Sequence, residues 1–314
     1  MTIAFVFPGQ GSQSVGMLRD LAAAHAEVGH TFAEASAVLG YDLWSRVSEG
    51  PEELLNATEC TQPAMLTAGV ATWRVWCKLG GAQPRAVAGH SLGEFAALVV
   101  AGVIDFTEAV DVVRVRGRAM QEAVPMGEGA VAAVLGLDDD AIRAACAEAA
   151  QGEVVEAANF NAPGQVVIAG ASAAVNRAIE AAKARGAKRA VRLPLSVPTH
   201  TSLMRPASEV LRHRLAGVAL RAPRLRVFSS VDAGEHRDPE RIRELLVRQV
   251  AGPVLWSGAV RAMIGAGMRQ FVECGPGKVL TGLNRRIEKR PDLACHALED
   301  PDSIGATLAA LAGA

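Results

Sequence analysis

The sequence predicts an α/β fold with two parts, a large one built on a parallel sheet and a smaller α+β unit inserted into it. Short apolar runs alternate with longer segments of helical periodicity along the 314 residues. Half of the residues are hydrophobic but only 4% are aromatic, which indicates a core of Ala, Val, Leu and Ile. Between about residues 127 and 197 the elements become shorter, which indicates a second unit.

The first part of the chain alternates strand and helix signals. Residues 3–7 form an apolar run of strand-forming side chains, and Pro8-Gly9 ends it because neither residue continues a strand. Apolar residues later recur at helical spacing, and proline or glycine bounds several of these runs. The predicted elements are a strand at 3–7, helices at 18–39 and 64–79, a strand ending at Ala88, and helices from Glu94 and at 106–123.

The segment 127–197 predicts a small inserted domain. Its elements follow the order β-α-β-β-α-β, which is that of a ferredoxin-like unit. They are a strand at 130–137, a helix at 138–150, strands at 154–159 and 166–169, a helix at 172–185 and a strand at 189–197. We therefore expect the large domain to comprise residues 1–126 and 198–314.

The alternation resumes after the small domain, which supports one large domain that the small one interrupts. A Gly-Pro-Gly turn at 275–277 separates the last strand from the last helix. The predicted elements are a helix at 202–215, a strand at 225–229, helices at 239–250 and 254–266, a strand at 270–273 and a helix that ends at Ile287.

The composition excludes several classes of protein. The net charge is −1 and no aromatic residues interleave with a basic stripe, so we expect no nucleic-acid partner. The longest apolar stretch, residues 95–104, is shorter than the roughly 18 to 20 residues that span a bilayer, and the amino terminus lacks a signal-peptide pattern. We therefore expect a cytoplasmic protein with no membrane partner. The five cysteines lack metal-binding or redox spacing, so we expect no metal.

The candidate nucleophile is Ser91, in the pentapeptide Gly89-His90-Ser91-Leu92-Gly93 between a predicted strand and a predicted helix. This arrangement is typical of a nucleophile elbow, a sharp turn that exposes a serine hydroxyl at the carboxyl edge of a sheet. The glycines lack the Cβ atoms that would collide with the neighbouring strand and helix. The alternative interpretation is a tight turn with an incidental serine.

A serine nucleophile needs a base, and His200 is the candidate among the seven histidines. It follows Pro198, which we interpret as the end of a strand, the same kind of location as the elbow. The alternative is an ordinary loop histidine. No Asp or Glu between Ser91 and His200 is a convincing third member, so a dyad oriented by a backbone carbonyl fits better.

A serine nucleophile that attacks a carbonyl group forms a tetrahedral intermediate, which needs hydrogen-bond donors. In an elbow the backbone N–H of Leu92 is one, and the loop Gly9-Gln10-Gly11 after the first strand is the candidate for the other. A phosphate-cradling glycine loop is the alternative, but this loop lacks the Lys-Ser/Thr of a P-loop.

Six motifs occur in order along the chain. They are Phe7-Pro8-Gly9-Gln10-Gly11-Ser12-Gln13, Gly-His-Ser-Leu-Gly-Glu at 89–94, Arg116-Gly117, Asn159-Phe160-Asn161-Ala162-Pro163-Gly164-Gln165, Ser196-Val197-Pro198-Thr199-His200 and Glu273-Cys274-Gly275-Pro276-Gly277. With this ordered set the chain resembles, over essentially its whole length, the bacterial malonyl-CoA:acyl carrier protein transacylases of type II fatty-acid synthesis. The resemblance implies an α/β-hydrolase-like large domain with an inserted ferredoxin-like domain.

The resemblance implies an acyltransferase that moves a malonyl group from coenzyme A to the phosphopantetheine thiol of acyl carrier protein, without a cofactor. Ser91 would attack the thioester with His200 as its base. Gln10 and Leu92 match the family's oxyanion donors, through their backbone N–H groups. Gln249 matches the residue whose backbone carbonyl steadies the histidine, which accounts for the missing carboxylate.

The resemblance also assigns residues to the substrate. Arg116 matches the arginine that pairs with the malonyl carboxylate, a role that suits the planar guanidinium because it holds both oxygens. Arg114 and Arg118 are interpreted as ordinary charges on the helix surface. Thr199 stands where the family often has serine, and its extra methyl group is expected to narrow the acyl pocket. The further candidates for substrate binding are Asn159, Asn161 and Thr199.

Carrier proteins of this pathway are acidic, as the resemblance implies, so docking requires a local basic patch on this nearly neutral chain. We predict that Lys188, Arg189 and Arg286 flank the mouth of the active site. The alternative is that these residues are solvated ends of helices. We expect the chain to be a monomer.

Three other functions stay open from the sequence. An acyltransferase of a polyketide assembly line or a malonate decarboxylase system would use the same chemistry with another carrier. A serine hydrolase or thioesterase would share the dyad, although Arg116 argues against it. A non-catalytic module that binds a carrier protein is the third.

Overall fold

A large, mostly parallel sheet forms the centre of the protein, whose computed structural model describes residues 2–195 and 197–312. Neighbouring strands are parallel, except that the short strand at one edge of the sheet is antiparallel to its neighbour. In order across the sheet the strands are β10 (Ala294–Ala297), β9 (Gln270–Glu273), β1 (Ile3–Phe7), β2 (Ala86–Gly89), β7 (Arg226–Phe228) and β8 (Glu235–His236).

Helices cover both faces of this sheet. In β1, Phe5 and Phe7 join one hydrophobic cluster while Ala4 and Val6 join another, as expected for a strand that is buried on both sides. Among the described residues no helix is long and apolar enough to cross a membrane. The helices are α1 (Arg19–Ala24), α2 (Ala26–Leu39), α3 (Leu43–Ser48), α4 (Glu52–Asn56), α5 (Thr58–Lys78), α6 (Gly93–Val100), α7 (Phe106–Glu122), α10 (Arg205–Ala216), α11 (Pro239–Ala251), α12 (Trp256–Gly265), α13 (Val279–Ile287) and α14 (Pro301–Ala312).

A second sheet is antiparallel and has two helices of its own, α8 (Asp139–Ala150) and α9 (Ser172–Ala184). Its strands are β3 (Gly129–Leu135), β4 (Val155–Ala162), β5 (Gln165–Ala171) and β6 (Arg189–Arg192). Across the sheet they lie in the order β4-β5-β3-β6, which with the chain order gives a ferredoxin-like unit. The predicted fold class is confirmed. The predicted domain limits stay a prediction, and all of these elements fall within 127–197.

Several predicted elements differ from the observed ones. Helix α5 begins at Thr58 rather than at residue 64, because it continues through Pro63, which usually ends or kinks a helix. The helix predicted at 18–39 is two helices, because His25 between them has an extended backbone. The elements β8, β10, α3, α4 and α14 were not predicted, and the first four of them are at most six residues long.

Two backbone hydrogen bonds join the small sheet to the large part of the chain. The N–H of Phe160 in β4 donates to the carbonyl oxygen of Val254 at 2.8 Å, and the N–H of Val254 donates to that of Ala158 at 2.9 Å. Val254 lies between α11 and α12. Strand β4 therefore pairs with the segment that follows α11, and we call this pairing the seam.

Glycine at position 117 lets helices α5 and α7 approach closely. A Cβ atom on Gly117 would lie 2.6 Å from the carbonyl oxygen of Thr58, at the start of α5. That distance is far inside van der Waals contact. Arg116 precedes this glycine and is buried, so the helix approach also sets how deep its side chain lies.

We expect Gly117→Ala to destabilise the protein by about 1 to 3 kcal/mol, because backbone atoms must move to admit the added carbon. Gly29→Ala is the matched control. Gly29 is an exposed position in α2 where an added Cβ has nothing within 4 Å. Alanine there should stabilise by about 0.5 to 1 kcal/mol. Urea unfolding measures both, and equal midpoints at unchanged slope would contradict the proposed packing.

Candidate active site

The turn at Ser91 has a strained backbone that its glycine neighbours make possible. Ser91 has a φ of 51°, in the left-handed region that non-glycine residues rarely adopt. A Cβ atom on Gly89 would lie 2.0 Å from the backbone nitrogen of Glu94, and one on Gly93 would lie 2.1 Å from the carbonyl oxygen of Phe7. Strand β2 and helix α6 therefore meet in the sharp turn of a nucleophile elbow.

His200 lies within hydrogen-bond distance of this serine. Its Nε2 is 2.7 Å from Ser91 Oγ, and its Nδ1 is 2.9 Å from the backbone carbonyl oxygen of Gln249. A carbonyl oxygen only accepts, so Nδ1 carries the proton and Nε2 accepts the hydroxyl proton of Ser91. The structure thus brings together the serine, the histidine and the carbonyl group that the sequence singles out.

His200 reaches the serine from a turn, so the prediction that it lies at a strand end is wrong. Strand β6 ends at Arg192, because Pro194 has no N–H with which to continue a ladder. His200 has a φ of 64°, and its backbone N–H donates to Val250 O in α11 at 3.2 Å. Helix α11 therefore holds the imidazole in place. Ser196, in the motif before it, lies outside the described residues.

The imidazole is neutral at physiological pH. Burial, and then the positive charge of Arg116, lower the pKa of His200 to about 3. A general base must be unprotonated to accept a proton, and this environment keeps His200 in that state.

Arg116 is buried in α7, with 2% of its surface exposed, and its guanidinium faces the serine. Its Nη2 lies 3.2 Å from Ser91 Oγ and 3.1 Å from Oε1 of Gln249. Its Nη1 lies 2.8 Å from Oε1 of Gln62. Burial lowers the pKa of Arg116 to about 10, which still leaves a cation at neutral pH.

A buried carboxyl group lies on the other side of the Gln249 side chain. Gln249 Nε2 donates to Glu94 Oε2 at 2.7 Å, while Ser230 Oγ lies 3.4 Å from the same oxygen. Burial raises the pKa of Glu94 to about 7. Gln249 therefore contacts Arg116 and Glu94 through its side chain and His200 through its backbone.

The sequence analysis singled out neither Glu94 nor Gln62 as a site residue. Glu94 carried a usable signal, because it is the one charged residue in the apolar helix α6 and directly follows the elbow. Gln62 carried a weaker one, since it precedes Pro63, where the sequence had placed no helix.

A cavity of about 480 Å³ opens in front of the dyad, between the two sheets. Gln10 and Leu92 line it on the side of the large sheet. Val131 of β3 and Val167 of β5 line it on the side of the small sheet. A cleft of this size holds a small acyl group and part of a longer arm.

The predicted substrate-binding residues also line the cavity, namely Asn159, Asn161 and Thr199. Asn161 Oδ1 lies 2.8 Å from His90 Nε2. The His90 side chain thus contacts the small sheet. The side chain of Thr199, which carries the extra methyl group, lines the cavity next to His200.

The predicted docking residues are exposed and lie outside the cavity wall. Arg286 follows Leu283, a wall residue, by three positions in α13, so the two residues are neighbours on one side of that helix. Lys188 directly precedes β6, and Arg189 is the first residue of that strand. Leu193, where the chain reaches the cavity, is four residues further on, or about 13 Å in an extended chain.

A buried serine whose hydroxyl contacts a neutral histidine, with an arginine beside them in a cleft, is typical of enzymes that use a serine nucleophile. Within residues 2–195 and 197–312, no group of three His, Cys, Asp or Glu side chains is arranged to hold a metal ion. The chain belongs to the acyl transferase domain family, whose model matches residues 4–295. The resemblance noted in the sequence is confirmed.

Named relatives are more specific than the family. The chain is 55% identical over 305 residues to the malonyl CoA-acyl carrier protein transacylase of Escherichia coli (strain K12), covering 97% of this chain and 98% of that one. An acyl carrier protein S-malonyltransferase from Vibrio cholerae superposes with a TM-score of 0.94 at 54% identity, covering 98% and 100%. A malonyl-transacylase solved in complex with its type II PKS acyl-carrier protein gives 0.97 at 52% identity, covering 99% and 100%.

The low pKa of His200 leads to a prediction about its titration. We expect the His200 ring to stay neutral in NMR titrations of the folded protein down to about pH 5. Arg116→Ala should raise its pKa, because the variant removes a positive charge and lets water approach. Arg118→Ala is the control, since Arg118 forms an exposed ion pair with Glu122. An unchanged His200 titration in Arg116→Ala would contradict the electrostatic coupling.

Proposed function

We propose that this chain transfers a malonyl group from coenzyme A to the phosphopantetheine thiol of acyl carrier protein, through a malonyl ester on Ser91. The observation that carries the proposal is the contact of one serine hydroxyl with both a neutral base and a buried cation, His200 and Arg116. The malonyl group and the carrier protein agree with the names of the relatives. The product supplies fatty-acid chain elongation.

In the first half-reaction, Ser91 Oγ attacks the thioester carbonyl carbon while His200 Nε2 takes the hydroxyl proton. Negative charge develops on the carbonyl oxygen, and the backbone N–H groups of Gln10 and Leu92 stabilise it. N–H groups at the start of a helix have no partner within that helix, and Leu92 precedes the first residue of α6. The carbon–sulfur bond then breaks, and the coenzyme A thiolate receives the proton from His200.

The second half-reaction runs the same steps in reverse with another thiol. The phosphopantetheine thiol gives its proton to His200 and attacks the ester carbon on Ser91. The ester bond breaks, and Ser91 Oγ recovers the proton. Gln249 contributes through its backbone carbonyl, which keeps the proton on Nδ1 and the ring in its productive orientation.

We assign Arg116 to the free carboxylate of the malonyl group. Among the described residues its Nε has no hydrogen-bond partner, and its Nη2 points at the nucleophile. A planar guanidinium binds both oxygens of a carboxylate, which selects malonyl over acetyl groups. Asn159, Asn161 and Thr199 would shape the rest of the acyl pocket.

The same site suggests further properties of the enzyme. The dyad chemistry requires no residue from a second copy of the chain and no cofactor, and we propose a monomer. We place the enzyme in the cytoplasm. A hydrolase remains the main competing function, and release of free malonate against transfer to the carrier separates the two.

The carrier could belong to fatty-acid synthesis or to a type II PKS, since one similar structure contains a carrier of the second kind. Loading rates with carriers of both kinds decide between these partners. We expect the fatty-acid carrier to be loaded faster.

The central test is acylation of Ser91. Brief exposure to malonyl-CoA should add one malonyl group that mass spectrometry maps to Ser91, and Ser91→Ala should abolish both the adduct and carrier loading. His200→Ala should slow acylation by roughly 10² to 10⁴. Ser14 lies in an exposed loop outside the cavity wall, so Ser14→Ala is the control. Ser91 should be acylated normally in this variant. An adduct mapped to another residue would refute this mechanism.

Arg116→Ala should weaken malonyl transfer and leave acetyl transfer unchanged or faster. A charge-assisted hydrogen bond to a carboxylate contributes about 1.5 to 3 kcal/mol, so the preference for malonyl should fall by about tenfold to a hundredfold. Steady-state rates with malonyl-CoA and acetyl-CoA measure the preference, with Arg118→Ala as the unchanged control. Equal losses for both substrates would make Arg116 a structural residue.

We propose that Arg286, Lys188 and Arg189 dock the acidic carrier protein. Charge reversal to Glu at these positions should raise the KM for the carrier and weaken its salt dependence, while self-malonylation of Ser91 stays unchanged. Because Arg286 neighbours a wall residue on α13, we expect the largest effect there. Arg212→Glu on α10 is the control. If neither half-reaction changes, or both fall together, this docking face is wrong.

A further inference from the structure

Glu94 is a buried carboxyl group that the transfer mechanism does not use. Only 1% of its surface is exposed. It lies in the first turn of helix α6, three residues after the nucleophile Ser91. A carboxylate in such a place is costly unless charged or polar groups compensate it. Its closest partner is the side-chain amide of Gln249, at 2.7 Å.

The amide of Gln249 lies between two groups of opposite charge. Its Oε1 accepts from Arg116 Nη2 at 3.1 Å, and its Nε2 donates to Glu94 Oε2. A guanidinium has only donors, so the amide must turn its oxygen towards Arg116. An ionised carboxylate has only acceptors, so the amide nitrogen must face Glu94. The two ends together fix one orientation of the Gln249 amide.

This arrangement places a carboxyl group near the buried Arg116 cation without pairing it directly with the N–H donors of the guanidinium. A carboxylate paired directly with Arg116 would take the donors that an incoming carboxylate needs. With the amide of Gln249 between them, the ionised form of Glu94 supplies a nearby negative charge, and Arg116 keeps its face towards Ser91. Without Glu94, the Gln249 amide would lose its nitrogen's acceptor and could present its NH2 group to the guanidinium.

We propose that Glu94 is a positioning residue for malonyl selectivity, which acts through the Gln249 side chain to hold the Arg116 guanidinium aimed at Ser91. This inference rests on the proposed function, because it requires that Arg116 binds the malonyl carboxylate. It adds a role for the last residue of the Gly-His-Ser-Leu-Gly-Glu motif.

The test is the ratio of kcat/KM for malonyl-CoA to that for acetyl-CoA. This ratio does not depend on the fraction of enzyme that folds, because both substrates report on the same active molecules. Glu94→Ala should lower the ratio by about tenfold, chiefly through slower malonyl transfer. Glu94→Gln should keep the ratio within about threefold of the parent, because its amide oxygen still accepts from Gln249.

Two further variants decide whether Gln249 transmits the effect. Gln249→Ala removes the side chain but keeps the backbone carbonyl that His200 needs, and it should reproduce the loss of ratio. The double variant with Glu94→Ala should lose no more than Gln249→Ala alone. Glu273→Ala is the matched control: its carboxylate is equally buried, but it accepts from the backbone of Leu280 and Thr281. It should lower stability and leave the ratio unchanged.

The outcomes separate this inference from the proposed function. A parent enzyme that transfers no malonyl group would overturn both. A malonyl-selective parent whose ratio is unchanged in Glu94→Ala would overturn the inference alone, as would equal loss of both substrates or additive effects in the double variant. If Glu94→Ala yields no folded enzyme, Gln249→Ala decides, and an unchanged ratio there overturns the inference.

Discussion

The hydrogen bond between Ser91 and His200 requires two chain segments 109 residues apart to meet within 2.7 Å. Both residues adopt a left-handed backbone to achieve it, with φ of 51° and 64°. Such strain persists only where the surrounding structure determines the conformation. Close glycine contacts hold the turn at Ser91, and helix α11 holds His200 through two backbone carbonyls. This one contact therefore requires β1, β2, α6 and α11 to keep their arrangement.

Desolvation sets the protonation states of the ionisable groups in the site. Arg116, Glu94 and His200 are all buried, and burial disfavours the charged form of each. The outcomes differ because their ordinary pKa values differ. The arginine stays charged, the histidine becomes neutral, and the carboxyl group is left near its midpoint at neutral pH. One buried environment thus supplies both the cation and the neutral base.

Local sequence signals predicted the fold class and the nucleophile. The strand at 3–7 and the turn at Ser91 depend on residues next to each other, so their patterns are readable without the fold. The motifs predicted His200 and Arg116, although the structural setting of His200 was wrong because Pro194 ends β6 early. Gln249 was predicted for its backbone, but its side-chain bond to Glu94 was not. That bond joins residues 155 apart, and no periodicity or spacing marks it.

The seam between Val254 and β4 constrains the exchange of the small domain between related enzymes. It joins strand β4 to Val254, which lies five residues after Gln249, whose carbonyl orients the base. An exchange of residues 127–197 would therefore move one wall of the cavity and strand β4, while the partner of β4 at Val254 would stay behind. The recipient must supply this partner in matching register. A graft that fails to keep this register would disturb the orientation of His200 as well as the acyl pocket, because Val254 lies on the same stretch of chain as Gln249.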